Sequence, residues 1–132
     1  MAAPLVSVCI PAYQGGRTIG AAVDSVLAQT LADFELLVLD DGSTDDTEAQ
    51  VRARRDPRLR YERNAANLGP QGNWNRCLER AAGSYVKLLP HDDLLHPGCL
   101  QQQVARLQDA GDIAPRIDAV RAAGWHVIHT RE

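Results

Sequence analysis

At 132 residues, with 45% hydrophobic and 23% charged residues, the chain has the length and composition of one ordinary globular domain. A net charge of −3 supplies no basic field, which argues against a nucleic-acid partner. No apolar run reaches the roughly 18 residues that a membrane span needs, and the Met-Ala-Ala-Pro start lacks the cationic region of a signal peptide. Cys9, Cys77 and Cys99 show no CxxC spacing and read as reduced, buried thiols. The expected location is therefore the cytoplasm, with the inner face of the membrane as the alternative.

In chain order, Leu5–Ile10 reads as a first buried strand closed by Pro11, followed by a loop over Pro11–Gly16. Ile19, Val23, Val26 and Leu27 recur at spacings of three and four and predict a helix from Arg17. Phe34–Leu39 holds four consecutive aliphatic residues, the pattern of a strand buried on both faces of a parallel sheet. The strand stops on Asp40-Asp41-Gly42, where Gly42 permits a sharp turn and Ser43, Thr44 and Asp45 are N-cap residues for a helix to about Arg54. Asp56-Pro57 breaks that helix, and Leu59–Arg63 alternates as a short strand nearer an edge.

Asn64–Gly72 is turn-rich. Trp74, Cys77, Leu78 and Ala81 then form the stripe of an amphipathic helix, with Gly83 as its C-terminal stop. Ser84–Leu89 is the next strand, and Pro97 opens a helix to about Gln108. Lys87, inside that strand, is expected at the sheet rim with its amine in water. Beyond Ala110, a short helix around Ile117, Val120 and Arg121 and a strand over Trp125–His129 are expected. The division is thus residues 1–110 as the main body and 111–132 as a divergent tail. Alternating strands and helices predict an α/β fold with a mainly parallel sheet.

Two acidic pairs, Asp40-Asp41 and Asp92-Asp93, each follow a strand, and would meet at the sheet edge where such folds bind ligands. The simpler reading is that these residues only cap helices and solvate the edge. Clustered carboxylates repel one another, so their convergence calls for hydrogen-bond donors or a cation. A hard divalent ion sharing its shell with a diphosphate would fit.

With these residues in hand, the chain resembles the N-terminal, nucleotide-binding half of an inverting family 2 glycosyltransferase of the GT-A (Rossmann-like) fold. The matching pieces fall in family order: Val6–Tyr13, Ser25–Thr30, Phe34–Leu36, Val38–Thr47, Asn67–Gly69, Asn75, Ala82–Val86, and Asp92-Asp93 with Pro97. They cover about residues 5 to 107. The resemblance implies a nucleotide-diphospho-sugar donor, most readily UDP- or dTDP-linked, and an Mn2+ or Mg2+ cofactor. It puts the base against Pro11, Ala12 and Tyr13, makes Asp41 the acceptor for a pyrimidine imide, and has Asp40 orient the loop.

In the family a D-x-D motif holds the metal; here the three positions read Pro90-His91-Asp92, so Asp92 is the implied ligand. His91 becomes a phosphate or metal-water contact, Asp93 a neighbour of the metal site or a helix cap, and His96 a solvent-facing residue. Asn67 and Gly69 read as turn formers, and Trp74 as core rather than a sugar platform. The family's catalytic base comes from its C-terminal half, for which Asp118 and Glu132 have no motif support. The chain is accordingly expected to be a truncated product, a fragment or a minimal nucleotide-binding half. The alternatives are a catalytically incomplete nucleotide- and metal-binding or interaction module, a phosphoacceptor receiver domain, and a nucleotidyltransferase. The receiver reading fails on Lys87, which lies inside its strand, and the nucleotidyltransferase on the absence of a Gly-rich basic loop after the first strand.

Overall fold

A computed structural model describes residues 3–109. Strands β1 (Val6–Ala12), β2 (Phe34–Asp40), β3 (Leu59–Arg63) and β4 (Tyr85–Leu88) alternate with helices α1 (Ile19–Leu27), α2 (Thr47–Arg52), α3 (Gly69–Arg80) and α4 (Cys99–Asp109). Among the described residues the strands form one parallel sheet of order β3-β2-β1-β4. The expected elements beyond Ala110, with Asp118 and Glu132, lie outside the described residues.

The alternation of side chains along each strand fills two layers. Val8, Ile10, Leu36 and Val38 face α1, α2 and α4, packing with Ile19, Val23, Val26, Val51, Leu100 and Val104. Cys9, Leu37, Leu39, Val86 and Leu88 face the other way, against Cys77, Leu78 and Ala81 of α3. The doubly buried strands expected from the aliphatic runs are present, and all three cysteines are buried thiols outside any disulfide.

Several boundaries differ from expectation, each for a physical reason. β1 runs through Pro11 and Ala12 rather than ending at Ile10. Leu89 N–H donates to Cys9 O, so residues 9 and 11 present their backbone groups to the β4 side. Pairing with β4 extends only from Val6 to Cys9, so the missing N–H of Pro11 falls where no partner is needed. α2 is shorter than expected, and α3 starts earlier, at Gly69, with Pro70 in the first turn, where a missing N–H costs nothing.

Lys87 does lie on the rim strand β4, but it is only 2% exposed. Val86 and Leu88 face α3, so Lys87 points to the opposite side, where it shares a wall with Leu100 and Gln103 of α4. The helix covers it, and the amine is not in bulk water.

Gly83 is not a helix stop. α3 ends on Ala81 in an extended conformation, and Gly83 instead lies flat against β1, its N–H donating to Ser7 Oγ at 2.7 Å. Ser7 donates in turn to Glu35, which also receives the Ala82 N–H and Arg60. This network ties α3 to the sheet at the edge remote from the acidic pairs. A Cβ at position 83 would lie 2.7 Å from the Ser7 amide nitrogen. Gly83→Ala should therefore destabilise the fold by about 1–3 kcal/mol through overpacking. Urea unfolding followed by circular dichroism would show a lower midpoint with unchanged slope; an unmoved midpoint would contradict the close approach.

Candidate functional site

The chain leaves β1 toward β2 and β3 on one side, then crosses back to place β4 on the other. A crevice opens at such a switch point beyond the strand ends. Here it is a cavity of about 410 Å³. Pro11, Ala12 and Tyr13 from the end of β1 form one wall and Asn67, Gly69, Pro70, Asn73 and Trp74 another. Asp41 lines it from the end of β2, and Pro90, His91 and Asp92 from the end of β4. The structure thus brings the expected residues to one place, with the exceptions of Asp40 and Asp93, which do not line the cavity.

Asp41 is only 2% exposed. Burying a carboxylate requires donors, and the start of α3 supplies them. Leu68 N–H and Asn64 Nδ2 donate to Asp41 Oδ1 at 2.7 and 2.9 Å, and Gly69 N–H donates to Oδ2 at 2.9 Å. Asn67 Nδ2 donates to the Asp41 carbonyl at 2.9 Å. Asp41 therefore holds the first amides of α3, with negative charge at the positive end of the helix. Three of its roughly four acceptor positions are filled from within, leaving one on Oδ2 for a ligand donor. Asn67 and Gly69 are turn formers as expected, and they are also cavity wall.

Asp40 is fully buried and works beneath the site. Its Oδ1 accepts the Ser43 N–H at 2.8 Å, closing the turn in which Gly42 takes a φ of +91°. Its Oδ2 accepts the Tyr61 hydroxyl. Burial first, and the bond to Asp40 second, push the Tyr61 phenol well above its ordinary range, so it remains a donor. Asp40 thus braces the turn after β2 through Ser43 and ties it to β3 through Tyr61.

Of the three polar residues expected to cap α2, Asp45 alone bonds its first turn, Oδ1 accepting the Thr47 N–H at 3.0 Å, while Ser43 and Thr44 serve another loop. Asp46 occupies the N-cap position but makes no side-chain cap bond, its Oδ2 instead accepting Gln50 Nε2 at 3.1 Å. Ser43 Oγ accepts the Gln14 N–H at 2.8 Å, while the Gln14 amide exchanges bonds with Thr44 Oγ1 and the Thr44 N–H. Thr47 Oγ1 accepts the Gly15 N–H at 3.0 Å, and Asp45 Oδ2 accepts the Gly16 N–H at 2.9 Å. The Thr47 hydroxyl, followed by the Gly16 amide, holds the Asp45 carboxyl below its ordinary pKa. These bonds fasten the β1–α1 loop to the β2–α2 loop, with Gln14 held at a φ of +52°.

The β4 end is more open. Asp92 is exposed, His91 and Asp93 are partly buried, and His96 is exposed as expected. Asp93 N–H donates to Pro90 O in a turn, six residues before α4, too far upstream to cap that helix. Trp74 packs on the α3-side core and also lines the cavity, so it is more than core. Among the described residues no group of three or more His, Cys, Asp or Glu could hold a metal by itself. Sequence reasoning missed Pro70, Asn73 and Thr18 as contributors. Pro70 carried a signal, being a first-turn proline; the other two carried none.

A family model described as "Glycosyl transferase family 2" matches residues 7–132. The Escherichia coli UDP-Glc:alpha-D-GlcNAc-diphosphoundecaprenol beta-1,3-glucosyltransferase WfgD is 37% identical over 103 residues, covering 78% of this chain and 41% of that protein. Among solved structures, Staphylococcus aureus TarS 1-349 in complex with UDP-GlcNAc superposes with a TM-score of 0.75 at 28% identity, covering 80% of this chain and 31% of that one. The mannosyltransferase PcManGT from Pyrobaculum calidifontis, in complex with GDP-Man and Mn2+, gives a TM-score of 0.63 at 27% identity, covering 70% and 29%. The chain spans well under half the length of curated relatives it matches, from 41% down to 15%. No helix of the described residues is long and apolar enough to cross a membrane. With the 3-2-1-4 parallel sheet, the cavity at its switch point and the family match in agreement, this chain belongs to glycosyl transferase family 2 and carries the N-terminal part of its GT-A fold.

Proposed function

We propose that this chain is the donor-binding part of a glycosyltransferase, which transfers a sugar from a nucleotide diphosphate to an acceptor with inversion. The observation that carries this reading is the cavity at the switch point with the Asp41 carboxylate in its wall. A base entering between Pro11-Ala12-Tyr13 and the start of α3 would meet the remaining acceptor position of Asp41, which suits the imide N–H of a pyrimidine. Tyr13, half exposed at the cavity, offers a ring surface beside it. The relative that uses UDP-Glc and the neighbour that holds UDP-GlcNAc support a UDP-sugar, with dTDP-sugars fitting the same contact.

The diphosphate would then extend toward Asp92. An exposed carboxylate on the cavity wall suits a hard divalent ion, and with no cluster of three ligands among the described residues such an ion would complete its octahedron from phosphate oxygens and water. Mn2+ or Mg2+ so held would act as a Lewis acid on the departing diphosphate. The neighbour bound to GDP-Man and Mn2+ supports this cofactor class. Asp93 stands next to the ligand and shapes the turn that presents it.

Calorimetric titration of the chain with uridine and with UDP, each with and without Mn2+, tests the reading, and two substitutions separate its parts. Asp92→Ala should lose the manganese-dependent gain in UDP affinity, on the order of tenfold or more, while keeping uridine affinity and thermal stability. Retention of that gain would contradict the metal assignment. Asp41→Asn should behave differently, because its NH2 would replace one carboxylate oxygen and face the Leu68 or the Gly69 N–H donor to donor. Stability should fall by about 1–3 kcal/mol and uridine affinity should fall with it. An Asp41→Asn chain of unchanged melting temperature would contradict the helix-anchoring role.

A further inference from the structure

Resting on the nucleotide reading of the cavity, we propose that His91 hydrogen-bonds the ligand's diphosphate directly through Nε2–H, and that Thr18 and Gly15 hold its ring in the tautomer and orientation this requires. Of the residues at the β4 end of the cavity, Asp92 presents a carboxylate, whereas His91 presents a ring that can offer an N–H to an anionic oxygen. Arg17 lies on the neighbouring loop but is not part of the wall.

Hydrogen-bond accounting assigns the tautomer. His91 Nδ1 lies 3.1 Å from Thr18 Oγ1. The Thr18 hydroxyl has one proton, and its other candidate acceptor is Gly15 O at 3.4 Å. That carbonyl already accepts the Thr18 N–H at 3.0 Å and the Ile19 N–H at 2.8 Å, which occupies both its lone pairs. The hydroxyl proton consequently goes to Nδ1, and the ring proton sits on Nε2. A metal ligand needs a nitrogen lone pair; the outward nitrogen here is a donor, which calls for an anionic oxygen instead.

The orientation is fixed by contact as well as by bonding. A Cβ on Gly15 would come within 2.7 Å of Nδ1 and 2.9 Å of Cγ, so the ring lies against bare backbone. That backbone is itself held, through the Gly15 N–H, by Thr47 Oγ1 at 3.0 Å. The middle position of the family's D-x-D pattern thus carries a preorganised donor, next to the carboxylate of Asp92.

The test uses the whole 132-residue chain, with uridine and UDP as probes and Mn2+ absent or present. His91→Ala should weaken metal-free UDP binding roughly tenfold, as expected for a hydrogen bond to a charged group, and leave uridine binding unchanged. The manganese-dependent gain should survive. His91→Gln, whose amide reaches the Nε2 position, should retain most of the UDP affinity, whereas His91→Asn, which reaches only as far as Nδ1, should not. Thr18→Val should weaken UDP binding in the native background and add nothing to His91→Ala. Undiminished metal-free UDP affinity in His91→Ala, or loss of the manganese gain alone, would overturn this inference while leaving the nucleotide reading intact. A chain that binds neither uridine nor UDP would overturn both.

Discussion

Asp41 is a charge buried at the end of a central strand, and the fold around the cavity is arranged to satisfy it. A carboxylate in this setting is tolerated only with donors on it, and the donors come from the first amides of α3 and from Asn64. One ionised group therefore positions the helix that supplies a wall of the cavity. Asp40 does the same one residue earlier, turning its carboxylate down to the Ser43 amide and the Tyr61 hydroxyl. The acidic pair is divided between architecture below and recognition above.

The loops at this edge are fastened to one another as well as to the sheet. Gln14, Gly15 and Gly16 bond to Ser43, Thr44, Asp45 and Thr47, and Thr18 bonds to His91. Elements far apart in sequence thus share one hydrogen-bonded rim. A rim assembled before the ligand arrives lowers the ordering cost of binding. The same bonds explain why the run Asp40–Thr47 is so polar: Ser43, Thr44, Asp45 and Thr47 serve the neighbouring loop, and Asp45 alone among them also holds the first amide of α2.

Much of this was legible in the sequence, and the reasons are local. Leu36–Leu39 is a buried strand because four aliphatic residues in a row leave no polar face, and Leu59–Arg63 is an edge because it alternates. The acidic pairs had to share an edge once the sheet was parallel. What escaped depends on neighbours that spacing does not reveal. Pro11 continues its strand because β4 has already ended beside it. Gly83 is needed for contact with Ser7 rather than for a helix cap, and Lys87 is buried because α4 crosses its face. The Thr18–His91 bond joins residues 73 positions apart, with nothing in either neighbourhood to announce it.

The account's central claim is that the three strand ends holding Asp41, Tyr13 and Asp92 form one nucleotide site. Its most direct measurement is backbone amide NMR of the isotope-labelled chain titrated with UDP. The account predicts shifts concentrated at Tyr13–Gly15, Leu68–Gly69 and His91–Asp93, with the Glu35 and Gly83 amides at the opposite edge unmoved. Shifts centred on that opposite edge, or no shifts at saturating UDP, would contradict it.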